Sequence, residues 1–419
     1  MIEKFNFTKK DFDLIKFINV NLIIFLPISL LIGSGVINLT IIIFDLLFLI
    51  DIFKKKKIHF LNNNIFYALL LFWISLIINS AFSSNFENSI PRVIGFFRFI
   101  ILVNGISFYL NINDNQYSKI VFKIWSFLFL IVLFDLLFEF IFGFNVLGNV
   151  SYIPGRLSSF LGDELKIGNY FFGFILIAIV FFHDIFKKIS ITYFLIFLFL
   201  IVAFLIGERS NFIKIFIMLL LFSFLLHKKH FIRLLIFYFV SLSILITTTT
   251  LNDNYKSRFW EMLGEPLKKD LNLFITLKNS PYGAHYDTAI KIFQKNKIFG
   301  VGIKNFRNES PNKDYENKEF VFYEFRSSTH PHQIHFEFLS ETGLFGYFAF
   351  LLFYIYSLIV FYKNQKNYIN LYQLSGALFL ITVIIPFLPS GSFFTTYSAT
   401  IFWINYAIMI SPNHLDNND

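Results

Sequence analysis

The sequence predicts an all-α, polytopic integral membrane protein with about twelve transmembrane helices and one large loop of short helices outside the membrane. Of its 419 residues, 56% are hydrophobic and only 15% are charged, whereas a soluble domain carries roughly 25% charged residues. The 63 phenylalanines exceed what one water-facing core could hide. The basic residues lie mostly between long apolar runs. Together these observations exclude a soluble enzyme, a disordered chain and a coiled coil.

The predicted spans follow from the length that a helix needs to cross the hydrocarbon, about 20 mostly apolar residues. In chain order they are 15–33, 36–53, 65–82, 93–110, 119–142, 169–183, 189–206, 210–226, 232–249, 335–361, 369–388 and 393–410. The first run has no small-residue cleavage site, so we expect a retained span rather than a signal peptide. The chain is thus predicted to divide into nine helices in residues 1–249, a large loop at 250–334, and three helices and a short tail in 335–419.

The orientation of the chain is predicted by the unequal distribution of basic residues between the two sets of connections. One set holds seventeen of them: Lys4, Lys9, Lys10, Lys16, Lys54, Lys55, Lys56, Lys57, Lys119, Lys123, Lys187, Lys188, Lys228, Lys229, Arg233, Lys363 and Lys366. The other set of short connections holds four: Arg92, Arg156, Lys166 and Arg209. We therefore expect both termini in the cytoplasm and the large loop outside, which in the inner membrane of a two-membrane bacterium is the periplasm. The net charge of +9 consequently does not indicate a nucleic-acid partner.

The large loop contains one predicted helix and lacks the commonest cofactor motifs. Residues 284–297 place Tyr286, Ile290 and Phe293 at helical spacing, which indicates an amphipathic helix lying on the membrane surface. The GVG at 300–302 lacks the Lys-Ser/Thr of a phosphate loop and is predicted to be a tight turn. The loop has no Asp-x-Asp pair and no metal-spaced His/Asp cluster, and the chain has no cysteine. No metal site is therefore expected.

Three histidines lie within six residues where the large loop meets the tenth span. Pro331 suits a first helical turn, which predicts His330 as the helix cap and His332 in the first turn. A helix N-terminus disfavours the imidazolium, so a neutral His332 would accept a proton from an attacking hydroxyl. His335, three residues on, is expected to point the same way. The alternative is a set of interfacial polar residues that cap a transmembrane helix, but three clustered histidines favour function.

A second candidate group lies in GERSNF, residues 207–212, between the seventh and eighth spans. Arg209 is predicted at the outer hydrocarbon boundary, with Lys214 about 7 Å deeper by helix rise. A guanidinium held in a tight turn suits phosphate oxygens. The alternative is a snorkelling interfacial anchor, which Glu208 would neutralise.

A third group consists of ionisable residues inside predicted spans. Arg98 lies about 9 Å below the outer end of the fourth span, and Asp135 and Glu139 are one turn apart at a matching depth in the fifth. An Arg98–Asp135 or Arg98–Glu139 pair is geometrically allowed, either as a functional site or as a structural ion pair. Positive charge on the outer leaflet side, where a lipid pyrophosphate headgroup would need it, is predicted from five residues: Arg92, Arg98, Arg156, Arg209 and Lys214.

This layout and three motifs resemble the O-antigen ligase and polymerase superfamily. The motifs are the Arg in the turn before the eighth span, GVGIKNFR at 300–307 and HPHQIHFEFLSETGLFG at 330–346. The resemblance implies an inverting, metal-independent and cofactor-free glycosyltransferase that moves a glycan from undecaprenyl pyrophosphate to a sugar hydroxyl. In a ligase that hydroxyl belongs to the lipid A core, and in a polymerase it belongs to another lipid-linked repeat. The motifs at 300–307 and 330–346 resemble the ligase branch slightly more than the polymerase branch.

The resemblance assigns roles to individual residues. His332 matches the family's essential histidine and Arg209 its essential arginine, while Gln333 stands where Asn is usual. Near the predicted loop helix, many members carry an Arg where this chain has Tyr282 and His285. The missing pyrophosphate contact has three alternatives: Arg258, Arg307 and Arg326. The other candidate substrate-binding residues are Arg98, Lys214, His330, Gln333 and Glu337.

A flippase or another transporter is the competing function. It would explain twelve spans and intramembrane charges equally well. It does not explain a long outer loop that ends in a histidine cluster, and the sequence lacks the two similar halves that are typical of transporters. A purely structural role would leave Arg98, Asp135 and the histidines without a reason.

Overall fold

A computed structural model of the protein describes residues 13–111, 116–162, 164–227, 231–261, 275, 278–365 and 369–411. The regular structure in these ranges is helical. The long helices are α1 (Leu14–Ile32), α2 (Ser34–Lys54), α3 (Asn64–Ala81), α4 (Phe86–Asn111), α5 (Gln116–Phe142), α6 (Ile167–Phe186), α7 (Ile189–Leu205), α8 (Arg209–Leu226), α9 (Phe231–Leu251), α10 (Pro281–Lys295), α11 (Ile334–Asn364), α12 (Leu371–Val383) and α13 (Thr396–Ile410).

Eight helices in the described ranges are long and apolar enough to cross a membrane, namely α1 to α6, α8 and α11. Three shorter apolar helices are Ile189–Leu205, Ile232–Thr247 and Leu371–Val383. A helix lies at each of the twelve predicted positions, so the all-α polytopic fold class is confirmed, while the number of crossings and their orientation stay predictions. The eleventh predicted span is too long, because α12 ends at Val383 before Pro386 and Pro389, which lack the N–H that a helix needs.

The interior of the bundle is built around α4, α6 and α13. Helix α13 packs against α2, α4, α6 and α12, and its side chains are almost all buried. A helix that is covered on every side is apolar all round, as α6 is along most of its length, whereas in α4 the continuously buried part is 99–110. At the α6–α13 crossing, a Cβ on Gly173 would lie 2.4 Å from Ile401 Cγ2, so only glycine permits this approach. Asn405 Nδ2 donates to the Gly173 carbonyl at 3.2 Å and ties the two helices together.

Helix α11 is kinked at Gly343, whose backbone has φ 62° and ψ −163°. The kink frees the amides of Leu344 and Phe345 from the helix, and these donate to the carbonyls of Lys297 and Ile298 at 2.8 and 3.0 Å. The turn that follows α10 therefore docks, backbone to backbone, into the broken helix.

Replacing Gly343 with alanine is expected to destabilise the protein. The new Cβ would lie 2.4 Å from the Ile298 carbonyl oxygen, and the positive φ is itself unfavourable for alanine. We expect a loss of roughly 1–3 kcal/mol or more, measured as a lower Tm of the purified protein in detergent. Gly95→Ala is the matched control, because a methyl group there meets no atom within 4 Å. Equal Tm values for the two variants would contradict the role assigned to the kink.

The described part of the large loop is built from α10 and single helical turns. The predicted helix at 284–297 is confirmed but starts earlier, because Pro281 occupies the first turn and the Ser280 hydroxyl accepts from Gly283 N at 3.1 Å. The predicted tight turn at GVG is also found, with φ 65° at Gly300 and 96° at Gly302. Parts of the predicted loop and both predicted cytoplasmic ends lie outside the described residues: 1–12, 262–274, 276–277 and 412–419.

Candidate active site

The start of α11 differs from the prediction. The helix begins at Ile334, and the cap is the Gln333 side chain, which accepts from the amides of His335 and Phe336 at 2.7 and 3.1 Å. The prediction of His330 as cap with His332 in the first turn is therefore wrong. The reason is that His332 adopts a left-handed conformation, φ 58°, which cannot continue into a helix.

Three histidine rings form a cluster beside this helix start. The centroid of the His332 ring lies 4.1 Å from that of His330 and 5.1 Å from that of His285 on α10. His335 does not join them, contrary to expectation, because its Nε2 donates to the Ile384 carbonyl and its Nδ1 accepts from the Tyr347 hydroxyl. Within the described residues no group of three His, Asp or Glu side chains is arranged to hold a metal ion, and metal independence stays a prediction.

The clustered histidines are neutral near pH 7. Burial, helped by the neighbouring His285, lowers the pKa of His332 to about 4. Burial also lowers the pKa of His330 to about 2, with contributions from His332, Lys304 and His285. The neutral state of His332 therefore results from burial rather than from a helix N-terminus. The His332 Nε2 lies 3.0 Å from the Ser328 hydroxyl, and Nδ1 has no hydrogen-bond partner among the described residues.

This lowered pKa predicts the pH dependence of a reaction in which His332 acts as a base. The imidazole stays unprotonated above its pKa of about 4, so kcat/KM should be nearly constant from neutral pH down to about pH 5 and fall only below that. The measurement is a pH profile of kcat/KM at low donor concentration. A midpoint near 6.5, the ordinary value for histidine, would contradict the buried state of His332.

Three arginines gather around the turn before α8. Arg258, in a π-helical turn at 257–261, donates from Nε to the Gly207 carbonyl, and Arg209 donates from Nη1 to the Arg258 carbonyl at 3.3 Å. Glu208 forms its ion pair with Arg156, at 2.7 Å, and not with Arg209. Among the described residues, neither Arg209 nor Arg258 forms an ion pair at bonding distance, although Glu208 is within electrostatic reach of Arg258. Burial, with Arg156 and Arg209 nearby, lowers the pKa of Arg258 to about 10.

Tyr282, in the first turn of α10, lies between the arginines and the histidines. Its ring centroid is 5.9 Å from that of His332, and its hydroxyl is within electrostatic reach of both Arg209 and Arg258. The fold therefore brings the two predicted catalytic residues, His332 and Arg209, to one end of the bundle. The resemblance had pointed to Tyr282 only as a departure from the family pattern, so its position between the two groups comes from the structure.

Of the three alternatives for the second arginine, the fold places only Arg258 beside Arg209. Arg326 donates to the carbonyls of Tyr323 and Pro311 at 3.3 and 3.0 Å, within its own loop. Arg307 is exposed on the single turn Phe306–Glu309.

The predicted pairing of Arg98 with Asp135 or Glu139 is wrong. Asp135 accepts from the Ser159 hydroxyl at 2.6 Å, and Glu139 accepts from the amides of Ser158 and Ser159 at 3.0 and 2.7 Å. Both carboxylates thus accept hydrogen bonds from the connection between α5 and α6, whose buried polar groups need partners.

Arg98 instead faces α13 and α2. Its Nη2 donates to the Thr396 hydroxyl at 3.2 Å, and its guanidinium lies 4.8 Å from the centroid of the Phe99 ring. The acidic group within its electrostatic reach is Asp45, buried on α2. Asp45 is not among the predicted candidates, although an acidic residue inside the second predicted span is a signal for a buried charge partner.

The three remaining candidate substrate-binding residues are buried, and their side chains form hydrogen bonds within the protein. Lys214 Nζ donates to the Pro389 carbonyl at 2.6 Å, and Gln333 is the cap of α11. Glu337 accepts from the Ser392 hydroxyl and from Phe393 N, the latter at 2.8 Å.

Comparison with known protein families gives one match. The model of the family described as "O-Antigen ligase" matches residues 194–351, from α7 into α11. This range contains Arg209, Arg258, Tyr282 and His332. No curated protein matches the chain. The resemblance seen in the sequence is thereby confirmed over residues 194–351, which match the O-antigen ligase family, in a chain whose long apolar helices are typical of a multi-pass membrane protein.

Proposed function

We propose that the protein is an inverting glycosyltransferase that moves a glycan from undecaprenyl pyrophosphate to a sugar hydroxyl of the lipid A core, at the periplasmic face of the bacterial inner membrane. One observation supports this most directly. Two guanidiniums that form no ion pair at bonding distance among the described residues, Arg209 and Arg258, lie across Tyr282 from the neutral imidazole of His332. A pyrophosphate that gains negative charge as it leaves needs the guanidiniums, and a hydroxyl nucleophile needs the neutral imidazole.

The guanidiniums would bind the leaving group. When the bond between the sugar C1 and the phosphate oxygen breaks, its electron pair passes to the pyrophosphate, whose charge must be stabilised. Guanidinium groups bind phosphate oxygens through paired N–H donors. Because Glu208 pairs with Arg156, the two other arginines keep their charge available for the substrate.

His332 would accept the proton of the acceptor hydroxyl as that oxygen bonds to C1 from the opposite face. An imidazole that donates from Nε2 to Ser328 keeps the lone pair on Nδ1 for this proton. The negative pyrophosphate nearby would raise the pKa of His332 in the donor complex and make it a stronger base. Holding both substrates at one membrane interface adds proximity.

The function is tested in membranes that contain the protein, undecaprenyl-pyrophosphate glycan and lipid A core, followed by gel mobility. A ladder on the core that disappears with His332→Ala supports the ligase. Elongation of the lipid-linked glycan with the core unchanged would replace it with a polymerase, which the same family covers. If folded protein transfers to neither acceptor, glycosyl transfer is refuted, and a flippase assay becomes the next experiment.

A further inference from the structure

The connection between α12 and α13, residues 384–395, lies outside the range that matches the O-antigen ligase family, yet it contacts both halves of the candidate site. We infer that this connection, here called the bridge segment, sets the distance between His332 and the helix that starts at Arg209, and that Lys214 acts as a positioning residue through it. The effect on catalysis rests on the proposed function, but the spacing between His332 and α8 does not depend on that proposal.

A single peptide group of the bridge segment joins the two halves. The Pro389 carbonyl accepts from the Ser210 hydroxyl at 2.5 Å and from Lys214 Nζ at 2.6 Å, both on the first turns of α8. The amide of the same peptide, Ser390 N, donates to the His332 carbonyl at 2.7 Å. A trans peptide is planar, with its C=O and N–H pointing in opposite directions. It therefore acts as a rigid spacer between α8 and His332.

The conformation of His332 gives this spacer a function. A non-glycine residue with φ 58° is held in a sparsely populated region and keeps it only when its surroundings determine it. The hydrogen bond from Ser390 N to the His332 carbonyl is one such constraint. Its position depends on the hydrogen bonds that hold the Pro389 carbonyl on α8. Loss of that anchor would let the imidazole shift relative to the guanidinium of Arg209.

Two residues further along, the bridge segment is held by a buried lysine and a buried glutamate. The Ser392 hydroxyl accepts from Lys304 Nζ at 2.9 Å and donates to Glu337, and Phe393 N also donates to Glu337 at 2.8 Å. Lys304, Ser392 and Glu337 are each at most 5% exposed. Because the ammonium and the carboxyl group bond to one buried hydroxyl, the two side chains lie close enough to interact electrostatically. The bridge segment is thus fixed at two neighbouring points, 389–390 and 392–393.

Lys214 has a different role here from the one that the sequence suggests. Its side chain is 1% exposed, and its ammonium is directed to a backbone carbonyl. Burying a cation in a membrane helix costs free energy, so such a residue usually has a polar partner and a structural or chemical role. The structure gives it the structural task of anchoring Pro389.

Kinetics distinguish a positioning lysine from a pyrophosphate ligand. We expect Lys214→Met to lower kcat of glycan transfer by about 100-fold with the donor KM unchanged, because it misplaces the base without removing a substrate contact. Lys214→Arg, which keeps a cationic donor, should restore most of kcat, and Lys295→Met, at an exposed lysine paired with Asp314, should have no effect. A raised donor KM with normal kcat would overturn the inference in favour of direct pyrophosphate binding.

A second readout does not depend on activity. The chain has no cysteine, so cysteines introduced at the exposed positions Ser327 and Ile213 can carry two nitroxide labels. Lys214→Met should broaden the distribution of distances between the labels, and Lys214→Arg should not. An unchanged distribution in Lys214→Met overturns the bridge whatever the enzyme does, whereas absent transfer by the parent protein overturns the proposed function alone. If Lys214→Met does not accumulate, Ser210→Ala, which removes the other donor to Pro389, should broaden the distribution in the same direction.

Discussion

Replacing His332 with alanine is expected to abolish glycan transfer, with kcat falling by about 10²–10⁴-fold, the usual contribution of a general base. The imidazole is neutral because burial lowers its pKa, and no other described residue occupies its Nδ1. His285 and His330 lie beside it, with His285 Nδ1 donating to the Arg326 carbonyl and the Nε2 of His330 buried without a hydrogen-bond partner among the described residues. The measurement is transfer by purified membranes at equal protein abundance.

The control for this prediction is His59→Ala, at an exposed histidine in the short connection between α2 and α3. It should transfer glycan at the parental rate. If His332→Ala loses activity only in proportion to a loss of folded protein, the histidine is structural and the assignment fails. Retained transfer in well-folded His332→Ala would also exclude it as the base.

Replacing Arg209 with alanine is expected to lower kcat by about 10²–10³-fold, as removal of one preorganised donor to a developing anion usually does. Arg209→Lys should recover little of this, because a single ammonium cannot form paired bonds to phosphate. Arg258→Ala should show a similar loss, and the double variant should lose less than the product of the two, since both act on one pyrophosphate. Single-turnover transfer measures each of these.

Arg92→Ala serves as the matched control, because this arginine is exposed on α4. Arg258→Ala also tests the choice among the three alternatives for the second pyrophosphate contact. If Arg326→Ala or Arg307→Ala lost more transfer than Arg258→Ala at equal abundance, the arrangement proposed around Arg209 would be wrong.

The helices could be predicted from the sequence because each is encoded in one continuous stretch. An apolar run of about 20 residues is sufficient to specify a membrane helix, and a Ser-Pro pair specifies the start of α10. The start of α11 was misplaced because a contact distant in sequence decides it. Ser390, 58 residues beyond His332, donates to the His332 carbonyl and favours the left-handed turn over an earlier helix start.

The electrostatic partners were harder to predict than the helices. Depth along a span says how far a charge lies from the surface but not which helix is its neighbour, so Arg98 was assigned to α5 although it faces α2 and α13. The choice of Arg258 likewise depends on how a loop turn folds onto Gly207, which no local pattern encodes. His332 and Arg209 were identified without the fold because the motifs around them are distinctive.

The kink in α11 divides the helix into two parts that contact different surroundings. Residues 334–342 contact the large loop and the bridge segment, and the amides of residues 344 and 345 also bond to the loop. The rest of the helix presents several exposed apolar side chains, among them Phe348, Leu352 and Ile355. Apolar helices tilt when the bilayer becomes thinner or thicker. Because the helical hydrogen bonds are interrupted at Gly343, we expect such a tilt to bend the helix there first. The candidate site would then be shielded from changes in the thickness of the membrane.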